Sequence, residues 1–403
     1  MRIGVDTGNG SPDEGGGFTF TRAVVDAIMA YSSSHVFIIW DGLQHVKRGR
    51  IELIKRVVDR VNAGRLIRSG VRVLRSAWPA FAAGDVSSAV SPIEKFINYF
   101  DIDLFWFLHP VHPTVSVPYL TTVWDLQHRR QPFFPEVSIT GWTWEARELS
   151  YRSNLPQAAR VITGTEAGKN EIIAFYGVSP DNISVVPMPV MQVELSEDDG
   201  DRKAIKAKYG LKKEYLLYPA QFWPHKNHVN LLHALYLLKK NTGLELDLML
   251  TGSDRGNLTH VRETIAALGL TSQVHIPGFV PNADLAGLYR EALCLTFASF
   301  FGPDNIPPLE AFFLGCPVTA ARVPGSEEQL EGAAVLFNPA DPADIAQAIL
   351  AVHDDAGLRS ELIRRGREVV ATRSPRAYVE QICRILDDFE PIRRCWGRHY
   401  SHL

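Results

Sequence analysis

The stretch TFASFFGPDNIPPLEAFFLGCPV, residues 296–318, contains a strand end, a glycine- and proline-rich loop and a helix start with no spacer between them. The apolar run 294–298 is typical of a buried strand. Pro307 and Pro308 suit the first turn of a helix, because the N–H groups that they lack would have no partner there. A buried strand that leads directly into a helix favours an α/β fold.

The loop between this strand and this helix is a candidate anion site. A helix N-terminus combines free N–H groups with the positive end of the helix dipole, and both favour a phosphate or diphosphate. Since the two prolines carry no N–H, the candidate donors are Asp304, Asn305 and Ile306. Asn305 also tolerates a left-handed backbone better than most residues. The alternative is an ordinary βα loop that binds no ligand.

Length and composition limit the class of protein. A chain of 403 residues favours two domains of roughly 150–200 residues each. With 46% hydrophobic residues, 22% charged residues and a net charge of −3, it resembles a soluble globular protein without signs of nucleic-acid binding. No membrane span or apolar signal-peptide core is found, so a cytoplasmic location is expected. Four scattered cysteines predict neither a zinc site nor a disulfide framework.

Strand and helix patterns alternate over the whole chain, which predicts parallel sheets covered by helices on both faces. The most polar segment, SEDDGDRKAIKAK at 196–208, divides this pattern into two similar halves. We therefore expect two Rossmann-like, doubly wound α/β domains that face each other across a cleft. The expected bounds are 1–190 and 213–375, a linker over 191–212, and a C-terminal helix and tail over 376–403 that pack toward the first domain.

A glycine-rich loop follows the first expected strand, residues 2–7. It contains Gly8-Asn-Gly and the triglycine at 15–17, and the apolar spacing of a helix begins at Phe18. This order lets a phosphate or sugar approach the backbone in doubly wound sheets. The pattern is not G-x-G-x-x-G, so a dinucleotide fingerprint is absent. A flexible linker is the alternative explanation of the triglycine.

A helix start is predicted at 92–100 from its capping residues. Ser91 suits the N-cap, Pro92 the first helical position, and Glu94 the acidic partner of a capping box.

Three polar side chains that follow strands are candidates for the chemistry. Polar groups at the carboxyl end of a strand are where open α/β sheets bind ligands. Asp125 and His128 follow a strand that begins at Leu120, and either can contact a substrate hydroxyl or serve a structural role. Lys226 follows the first strand of the second half, where its ammonium suits a diphosphate unless it is an ordinary solvent-exposed lysine.

A basic sector lies between residues 47 and 75, where ten lysines and arginines face only Glu52 and Asp59. It contains an expected helix at 51–61 with one apolar face, and an expected strand at 71–74. Such a helix suits peripheral contact with an anionic membrane, here the inner membrane face, or an acidic lipid-linked acceptor. A solvated helix face is the alternative.

These segments together resemble glycosyltransferase family 4, the retaining, nucleotide-sugar-dependent glycosyltransferases of the two-domain GT-B architecture. The similarity covers nearly the whole chain and is strongest over 215–341. In the second half it rests on PHKN (224–227), LMLTG (248–252), PGFV (277–280), FGPDNIPPLEA (301–311), GCPV (315–318) and PGSEE (324–328). In the first half it rests on the triglycine, WDLQH (124–128) and ITGTEAG (162–168).

The resemblance implies transfer of a hexose or deoxyhexose, mannose- or rhamnose-like, from a nucleoside diphosphate sugar to a glycan or lipid-linked acceptor. Surface polysaccharide synthesis is the implied setting, and retention at the anomeric carbon the implied outcome. No cofactor is expected, and no D-x-D motif for a metal follows a strand. The competing classes are a non-catalytic nucleotide-sugar-binding paralogue and a GT-B nucleotide-sugar epimerase or hydrolase.

The resemblance also implies roles for individual residues. Lys226 would hold the donor diphosphate, Asn305 and Ile306 would offer it backbone N–H groups, and Glu310 would bind the ribose hydroxyls. Two glycine-containing turns would complete the donor site, one at the base and one at the sugar. Their residues are Gly278, Phe279 and Val280 at the base, and Gly16 and Gly17 at the sugar.

Three positions depart from the family pattern. Gly302 stands where the first glutamate of the E-x7-E motif is expected, so recognition of the sugar hydroxyls falls to neighbours such as Asp304. Gln221 replaces an arginine before the PHKN segment and leaves the donor site with one positive charge fewer. Trp124 replaces a histidine before Asp125.

Overall fold

The computed structural model describes residues 1–8, 16–40, 91–138, 143–190 and 202–397. The basic sector at 47–75, with its expected helix and strand, lies outside the described residues, as do the linker residues 191–201.

Twelve strands of the described residues form two parallel sheets of six strands each. The first sheet contains β1 (Arg2–Asp6), β2 (Val36–Trp40), β3 (Leu104–Phe107), β4 (Tyr119–Thr122), β5 (Arg160–Thr163) and β6 (Ile183–Val185), in the order β2-β1-β3-β4-β5-β6. The second contains β7 (Tyr215–Pro219), β8 (Asp247–Thr251), β9 (Val274–Gly278), β10 (Cys294–Phe297), β11 (Val318–Ala321) and β12 (Ala334–Phe337), in the order β12-β11-β10-β7-β8-β9. The second order is that of the Rossmann fold.

Helices connect the strands in both halves. Those of the first half are α1 (Gly16–Ala30), α2 (Pro92–Phe100), α3 (Gln127–Arg130), α4 (Pro135–Ser138), α5 (Trp144–Asn154) and α6 (Glu166–Tyr176). Those of the second half are α7 (Arg202–Lys208), α8 (His228–Thr242), α9 (Leu258–Ala267), α10 (Asn282–Glu291), α11 (Ile306–Leu314), α12 (Ser326–Leu330), α13 (Pro342–Asp354), α14 (Ala356–Ala371) and α15 (Pro375–Arg393). None of these described helices is long and apolar enough to cross a membrane.

Both faces of the sheets are covered, as the apolar strand sequences predict. In β3, the alternate residues Leu104 and Trp106 pack into one apolar cluster, while Phe105 and Phe107 pack into another on the opposite face. All four side chains are fully buried. A strand buried on both sides needs apolar residues at every position, which is why LFWF contains no polar residue.

The helix at 92–100 begins at its predicted residue. The Ser91 hydroxyl accepts a hydrogen bond from the Glu94 N–H, as expected of an N-cap, and Pro92 occupies the first turn. The capping-box prediction is wrong for the Glu94 side chain, because its carboxylate accepts hydrogen bonds from the backbone N–H and the hydroxyl of Ser116. Ser116, 22 positions away in the sequence, therefore replaces the backbone N–H of Ser91 as the partner of the Glu94 carboxylate.

Two segments near the domain boundaries pack on different halves. Residues 202–208, within the expected linker, form α7, which packs against α10; beyond it the Tyr209 hydroxyl donates to Asp284 Oδ2 at 2.6 Å. The last helix, α15, returns to the first half and packs against α1. Its residues Tyr378 and Ile382 are buried in the same apolar cluster as Phe20 and Val24.

The strand order reverses once in each sheet, between β1 and β3 and between β7 and β10. In open α/β sheets, ligands bind outside the carboxyl ends of the strands at such reversals. The carboxyl ends of both sheets border one shared cavity, which is the candidate functional site.

Candidate active site

A cavity of about 510 Å³ lies between the two halves. The first half contributes Gly16, Gly17, Phe20, Trp124, Asp125, Gln127, Glu136, Arg147 and Met188. The second half contributes Pro219, Ala220, Gln221, Trp223, His225, Lys226, Phe297 and residues 301–307. The cavity therefore combines the triglycine end of α1, the segment after β4, the segment after β7 and the loop before α11.

Lys226 ends a single 3-10 turn, Pro224–Lys226, between β7 and α8. Asn227 follows in the left-handed conformation at φ 59°, and its amide donates to the carbonyl groups of Ala298 and Pro339. These two bonds fix the turn against β10 and the segment after β12. A left-handed asparagine with a buried, bonded side chain thus aims the preceding lysine into the cavity.

The Lys226 ammonium has no hydrogen-bond or ion-pair partner among the described residues, and its Nζ lies 5.4 Å from the centre of the Phe297 ring. Burial lowers its pKa to about 8, although the negative charges of Asp125 and Glu136 raise it. The ammonium therefore keeps its proton at neutral pH while lacking an anionic partner. It can accept one from a ligand.

The loop before α11 has the predicted helix start, with Pro307 and Pro308 in the first turn. Asn305 does not use its tolerance of a left-handed backbone, because this N-cap residue is extended, with φ −108° and ψ 126°. Gly302 has the positive φ instead, at 135°. A Cβ at Gly302 would also lie 2.2 Å from Oδ1 of Asn305. A glutamate at position 302 would therefore need a strained backbone and a displacement of the Asn305 side chain.

The backbone N–H of Asn305 is already bonded, which corrects its assignment as a free donor. It donates to Gln329 Oε1 at 3.0 Å, and Gln329 Nε2 donates back to the Asn305 carbonyl at 2.9 Å. The Asn305 side-chain amide donates to the Gly302 carbonyl at 2.6 Å. A diphosphate would have to displace Gln329 to reach this N–H.

Asp304 lines the cavity, but its carboxylate turns toward the first half. Its Oδ1 accepts a hydrogen bond from Gln329 Nε2 at 2.7 Å. Its Oδ2 faces Gly164, where an added Cβ would lie 1.6 Å away. Burial raises the pKa of Asp304 to about 7, against the lowering effect of Arg373. The side chain expected to recognise sugar hydroxyls is therefore engaged between the domains.

Gly16 and Gly17 start α1 at the cavity wall. A Cβ at Gly16 would lie 2.9 Å from Cδ1 of Ile306, and a Cβ at Gly17 would lie 2.8 Å from Cη2 of Trp124. The two glycines allow close approach, but what approaches them in this structure is protein, and their approach to the sugar stays a prediction. Ile306 packs here against the apolar cluster of the first half.

Asp125 and His128 lie in different environments. Asp125 lines the cavity, and its Oδ1 accepts a hydrogen bond from the Gln127 N–H at 3.0 Å. His128 is absent from the cavity lining and fully buried, with Nε2 3.0 Å from the Tyr176 hydroxyl and 3.4 Å from Glu148 Oε2. Burial lowers the pKa of His128 to about 4. This position favours the structural alternative, and the contact of His128 with a substrate hydroxyl stays a prediction.

The remaining donor-site candidates divide between the cavity and its surroundings. Gln221 lines the cavity and its Oε1 accepts a hydrogen bond from Trp223 Nε1 at 3.0 Å. Glu310 lies one turn into α11, outside the lining, and its Oε2 accepts from the Tyr289 hydroxyl at 2.8 Å. The turn at 278–280 begins at Gly278, the last residue of β9, and is also outside the lining, with Phe279 exposed and Val280 buried. The nucleotide-binding roles of Glu310 and of this turn stay predictions.

Sequence reasoning missed three polar residues of the site. Glu136 of α4 accepts hydrogen bonds from the backbone N–H and from Nδ1 of His225, so it joins the first half to the turn that carries Lys226. Arg147 of α5 adds a positive charge to the first-half wall. Gln329 holds the loop before α11. The FFPE sequence at 133–136 was a usable signal for Glu136, whereas Arg147 and Gln329 carry no motif of their own.

One group of described residues has the composition of a metal site. His35, Asp387 and Glu390 place ligand-type atoms within 4.8 Å of one another. His35 precedes β2, so the group lies at the amino ends of the first sheet, opposite the cavity. His35 Nε2 and Asp387 Oδ1 are 3.0 Å apart and can pair with each other. The expectation that the reaction needs no metal stays a prediction.

Comparison with solved structures identifies the architecture. The protein HepE of Anabaena, solved in complex with UDP and glucose, has a TM-score of 0.67 and 17% sequence identity, covering 96% of this chain and 100% of that chain. The sucrose-phosphate synthase of Thermosynechococcus elongatus has a TM-score of 0.70 and 17% identity, covering 97% and 100%. The chain has the GT-B fold.

Within this GT-B fold, residues 201–369 match the family model described as glycosyl transferases group 1. The matched segment includes the Lys226 turn, the loop before α11 and Gln329. Membership of family 4 and the variant E-x7-E motif stay predictions.

Curated relatives match more than half of the GT-B chain. The O-antigen chain mannosyltransferase B of Escherichia coli is 28% identical over 221 residues, which are 54% of this chain and 58% of that protein. The D-inositol 3-phosphate glycosyltransferase of Corynebacterium kroppenstedtii is 27% identical over 222 residues, 52% of this chain and 49% of that protein. The chain thus spans about half the length of the curated relatives that it matches.

Proposed function

We propose that this protein is a retaining glycosyltransferase that uses a nucleoside diphosphate sugar. It transfers a hexose or deoxyhexose, mannose- or rhamnose-like, to a hydroxyl of a glycan or lipid-linked acceptor in surface polysaccharide synthesis. The observation that carries the proposal is the Lys226 ammonium, which lies in the cavity without an anionic partner among the described residues. The group 1 match and the mannosyltransferase relative support the class of reaction.

The mechanism assigns the leaving group to the second half. As the glycosidic bond to the diphosphate breaks, negative charge grows on the diphosphate and the sugar becomes oxocarbenium-like. Preorganised positive charge that meets this developing anion lowers the barrier. Lys226 supplies a full charge, and the N-terminus of α11 supplies a partial one. Gln221 adds no charge, so Lys226 bears more of this work than it would beside an arginine.

The acceptor is assigned to the first half. Asp125 lies at the cavity wall, where its carboxylate can accept a hydrogen bond from the attacking hydroxyl and orient it. The leaving diphosphate then takes the hydroxyl proton on the same face of the sugar. Arg147 on the same side suits an acceptor that carries a phosphate or carboxylate group.

A non-catalytic nucleotide-sugar-binding protein is the second candidate, favoured by Gln221 because it lacks the charge of an arginine. A GT-B epimerase or hydrolase would consume the donor without an acceptor. Turnover measured with and without acceptor separates the three classes.

The experiment begins with a thermal-shift screen of GDP, UDP and dTDP, since a ligand at a hundred times its dissociation constant stabilises by about 2.7 kcal/mol. The matching sugar nucleotides are then incubated with oligosaccharide and lipid-linked acceptors, and released nucleoside diphosphate is measured. We expect release that depends on acceptor, with an axial or equatorial product bond matching that of the donor by NMR. Release without acceptor, or binding without release, would contradict the proposal.

A further inference from the structure

The two halves of the chain meet along a contact that we call the domain seam. On the first half it comprises Gly164 and the N-terminus of α6, and on the second half Asp304, Glu328 and Gln329. The Glu328 carboxylate accepts hydrogen bonds from the backbone N–H groups of Glu166, at 2.7 Å, and Ala167, at 3.3 Å. An acidic side chain of one domain thus occupies the helix N-terminus of the other, where a negative charge is favoured.

Asp304 enters the seam more deeply than Glu328. Its Oδ2 would lie 1.6 Å from a Cβ at Gly164, so only glycine at position 164 leaves room for this carboxylate. The fit therefore depends on glycine at position 164 in one domain and on the Asp304 carboxylate in the other. When the domains separate, neither residue constrains the other.

A second observation concerns polar atoms without partners. Among the described residues, Asp304 Oδ2 and Trp124 Nε1 are buried and lack a hydrogen bond of ordinary geometry, although the backbone of Met188 is near enough to lower the pKa of Asp304. Both residues line one enclosed space of about 10 Å³, together with Gly164, Met188 and Tyr378. This space is about the size of a single water molecule, which needs polar partners of this kind. A residue with an N–H donor in the first half and a residue with a carboxylate in the second therefore line the same small space.

Gln329 connects the seam to the candidate donor site. Its Nε2 donates both to Asp304 Oδ1 at 2.7 Å and to the Asn305 carbonyl at 2.9 Å, and its Oε1 accepts from the Asn305 N–H. Asp304 and the N-cap of α11 are therefore held by one side chain. A displacement of Asp304 would move the helix N-terminus that faces the cavity.

We propose that Asp304 is a positioning residue that couples the approach of the two domains to the donor site. The first half seats Asp304 against Gly164, and Gln329 passes that placement to Asn305 at the start of α11. This inference rests on the proposed function, because the donor site is the one assigned above. It adds that donor binding is strong only when the seam is formed.

Proton uptake accompanies this coupling. The groups that face the Asp304 carboxyl are Arg373, which lowers its pKa, Glu328, which raises it, the backbone of Met188 and the amide of Gln329. Tyr378 of α15 also lies beside it. Burial outweighs the lowering effects and raises the pKa from 3.8 to about 7. The formed seam therefore binds a proton that the separated domains release between about pH 4 and 7.

The direction of the pH effect follows from this difference in the number of bound protons. Because the formed seam binds the extra proton, domain approach weakens as pH rises from about 4 to 7, by up to about tenfold per pH unit, and then levels off. The Asp304→Asn variant keeps the shape without the ionisation. We expect this variant to lose the part of the pH dependence that the parent chain owes to Asp304, while the His225–Glu136 contact and the phosphate of the ligand titrate alike in both chains.

The decisive test is a double-mutant cycle with Gly164→Ala and Asp304→Ala. The added methyl should prevent seam formation while Asp304 is present and be tolerated when Asp304 is shortened. We expect Gly164→Ala alone to weaken binding of the best of GDP, UDP and dTDP by about tenfold or more. The double variant should bind like Asp304→Ala alone. Gly397→Ala is the matched control, since no atom lies within 4 Å of a Cβ there.

A readout that does not depend on the nucleotide separates this inference from the proposed function. Small-angle scattering of each variant without ligand should show a larger radius of gyration for Gly164→Ala and recovery in the double variant. Circular dichroism and thermal unfolding monitor folding. Equal compactness of Gly164→Ala and the parent chain, or additive losses in the double variant, would overturn the coupling. If compactness follows the cycle but no nucleotide binds, the coupling of domains stands and the donor assignment fails.

Discussion

The Lys226 turn and the N-terminus of α11, both on the second-half wall of the cavity, were expected to bind the same diphosphate. They differ in whether the group that would bind it already has a partner in the protein. The Lys226 turn presents an ammonium without an anionic partner among the described residues. The N-terminus of α11 presents an Asn305 N–H that already bonds to Gln329. Similar strand-end positions thus yield one site that can receive an anion directly and another that must first exchange a hydrogen bond. A helix N-terminus is available to a ligand only where no neighbouring side chain already bonds to its N–H groups.

The largest expected effect comes from removing the Lys226 ammonium, which can bind an anion directly. Lys226→Ala should lower turnover by about 100-fold or more, because the charge that meets the leaving diphosphate is lost. The measurement is acceptor-dependent release of nucleoside diphosphate under saturating donor. Lys240→Ala, an exposed lysine on α8, is the matched control and should leave turnover unchanged. Full activity of Lys226→Ala would remove Lys226 from the reaction.

The second prediction concerns the N-terminus of α11, where Gln329 already bonds to the Asn305 N–H. Gln329→Met keeps the length of the side chain but removes its bonds to Asp304 and Asn305. We expect nucleoside diphosphate affinity to fall by about tenfold, because the loop before α11 loses its support. Isothermal titration calorimetry measures this directly. Tighter binding in the variant would show instead that Gln329 competes with the ligand for the Asn305 N–H.

The third prediction tests whether the loop before α11 can carry a glutamate at position 302, where the family pattern expects one. Gly302→Ala should lower the free energy of unfolding by about 1–3 kcal/mol, because φ 135° is strained for any residue with a Cβ and Asn305 occupies the space. Chemical denaturation gives the value. Gly302→Glu should lose stability at least as much, without a gain in transfer. A stable and more active Gly302→Glu would reverse this interpretation.

The smallest expected effect is a pH dependence of the Lys226 turn. Since the pKa of this ammonium is about 8 without ligand, kcat/KM should fall as pH rises above 8, by up to tenfold per unit. Bound diphosphate favours the charged form, so kcat at saturating donor should fall at higher pH than kcat/KM. The pH profile of each parameter in the parent enzyme checks this. Coincident profiles would mean that another group controls the fall.

The sequence was sufficient to predict the fold because its signals are local and repeated. The helix expected at 92–100 has the expected bounds, and the strands expected at 2–7 and 294–298 are found as Arg2–Asp6 and Cys294–Phe297. Pro307 and Pro308 fixed the start of α11 through a property of single residues, the missing N–H. The place of Lys226 beside the cavity could also be predicted, because residues that follow the carboxyl end of a strand lie at that edge of the sheet.

The parts that the sequence did not predict depend on distant partners. Nothing near Asn305 indicates that Gln329, 24 positions away, bonds to its N–H. Nothing near His128 indicates that Glu148 and Tyr176 surround it. Gly302 was considered as a lost glutamate, whereas its positive φ makes it a required glycine. Residues whose role is set by tertiary contacts cannot be assigned from spacing alone.

The return of α15 to the first half has a mechanical consequence. The chain leaves the first domain after β6 and comes back just before α15, and the Val190 N–H donates to the Arg373 carbonyl at 2.7 Å where these paths meet. The two connections between the halves therefore lie side by side, so a rotation of one half relative to the other would centre on this pair of segments. The seam residues at the cavity edge would then meet in the same register each time the domains swing together.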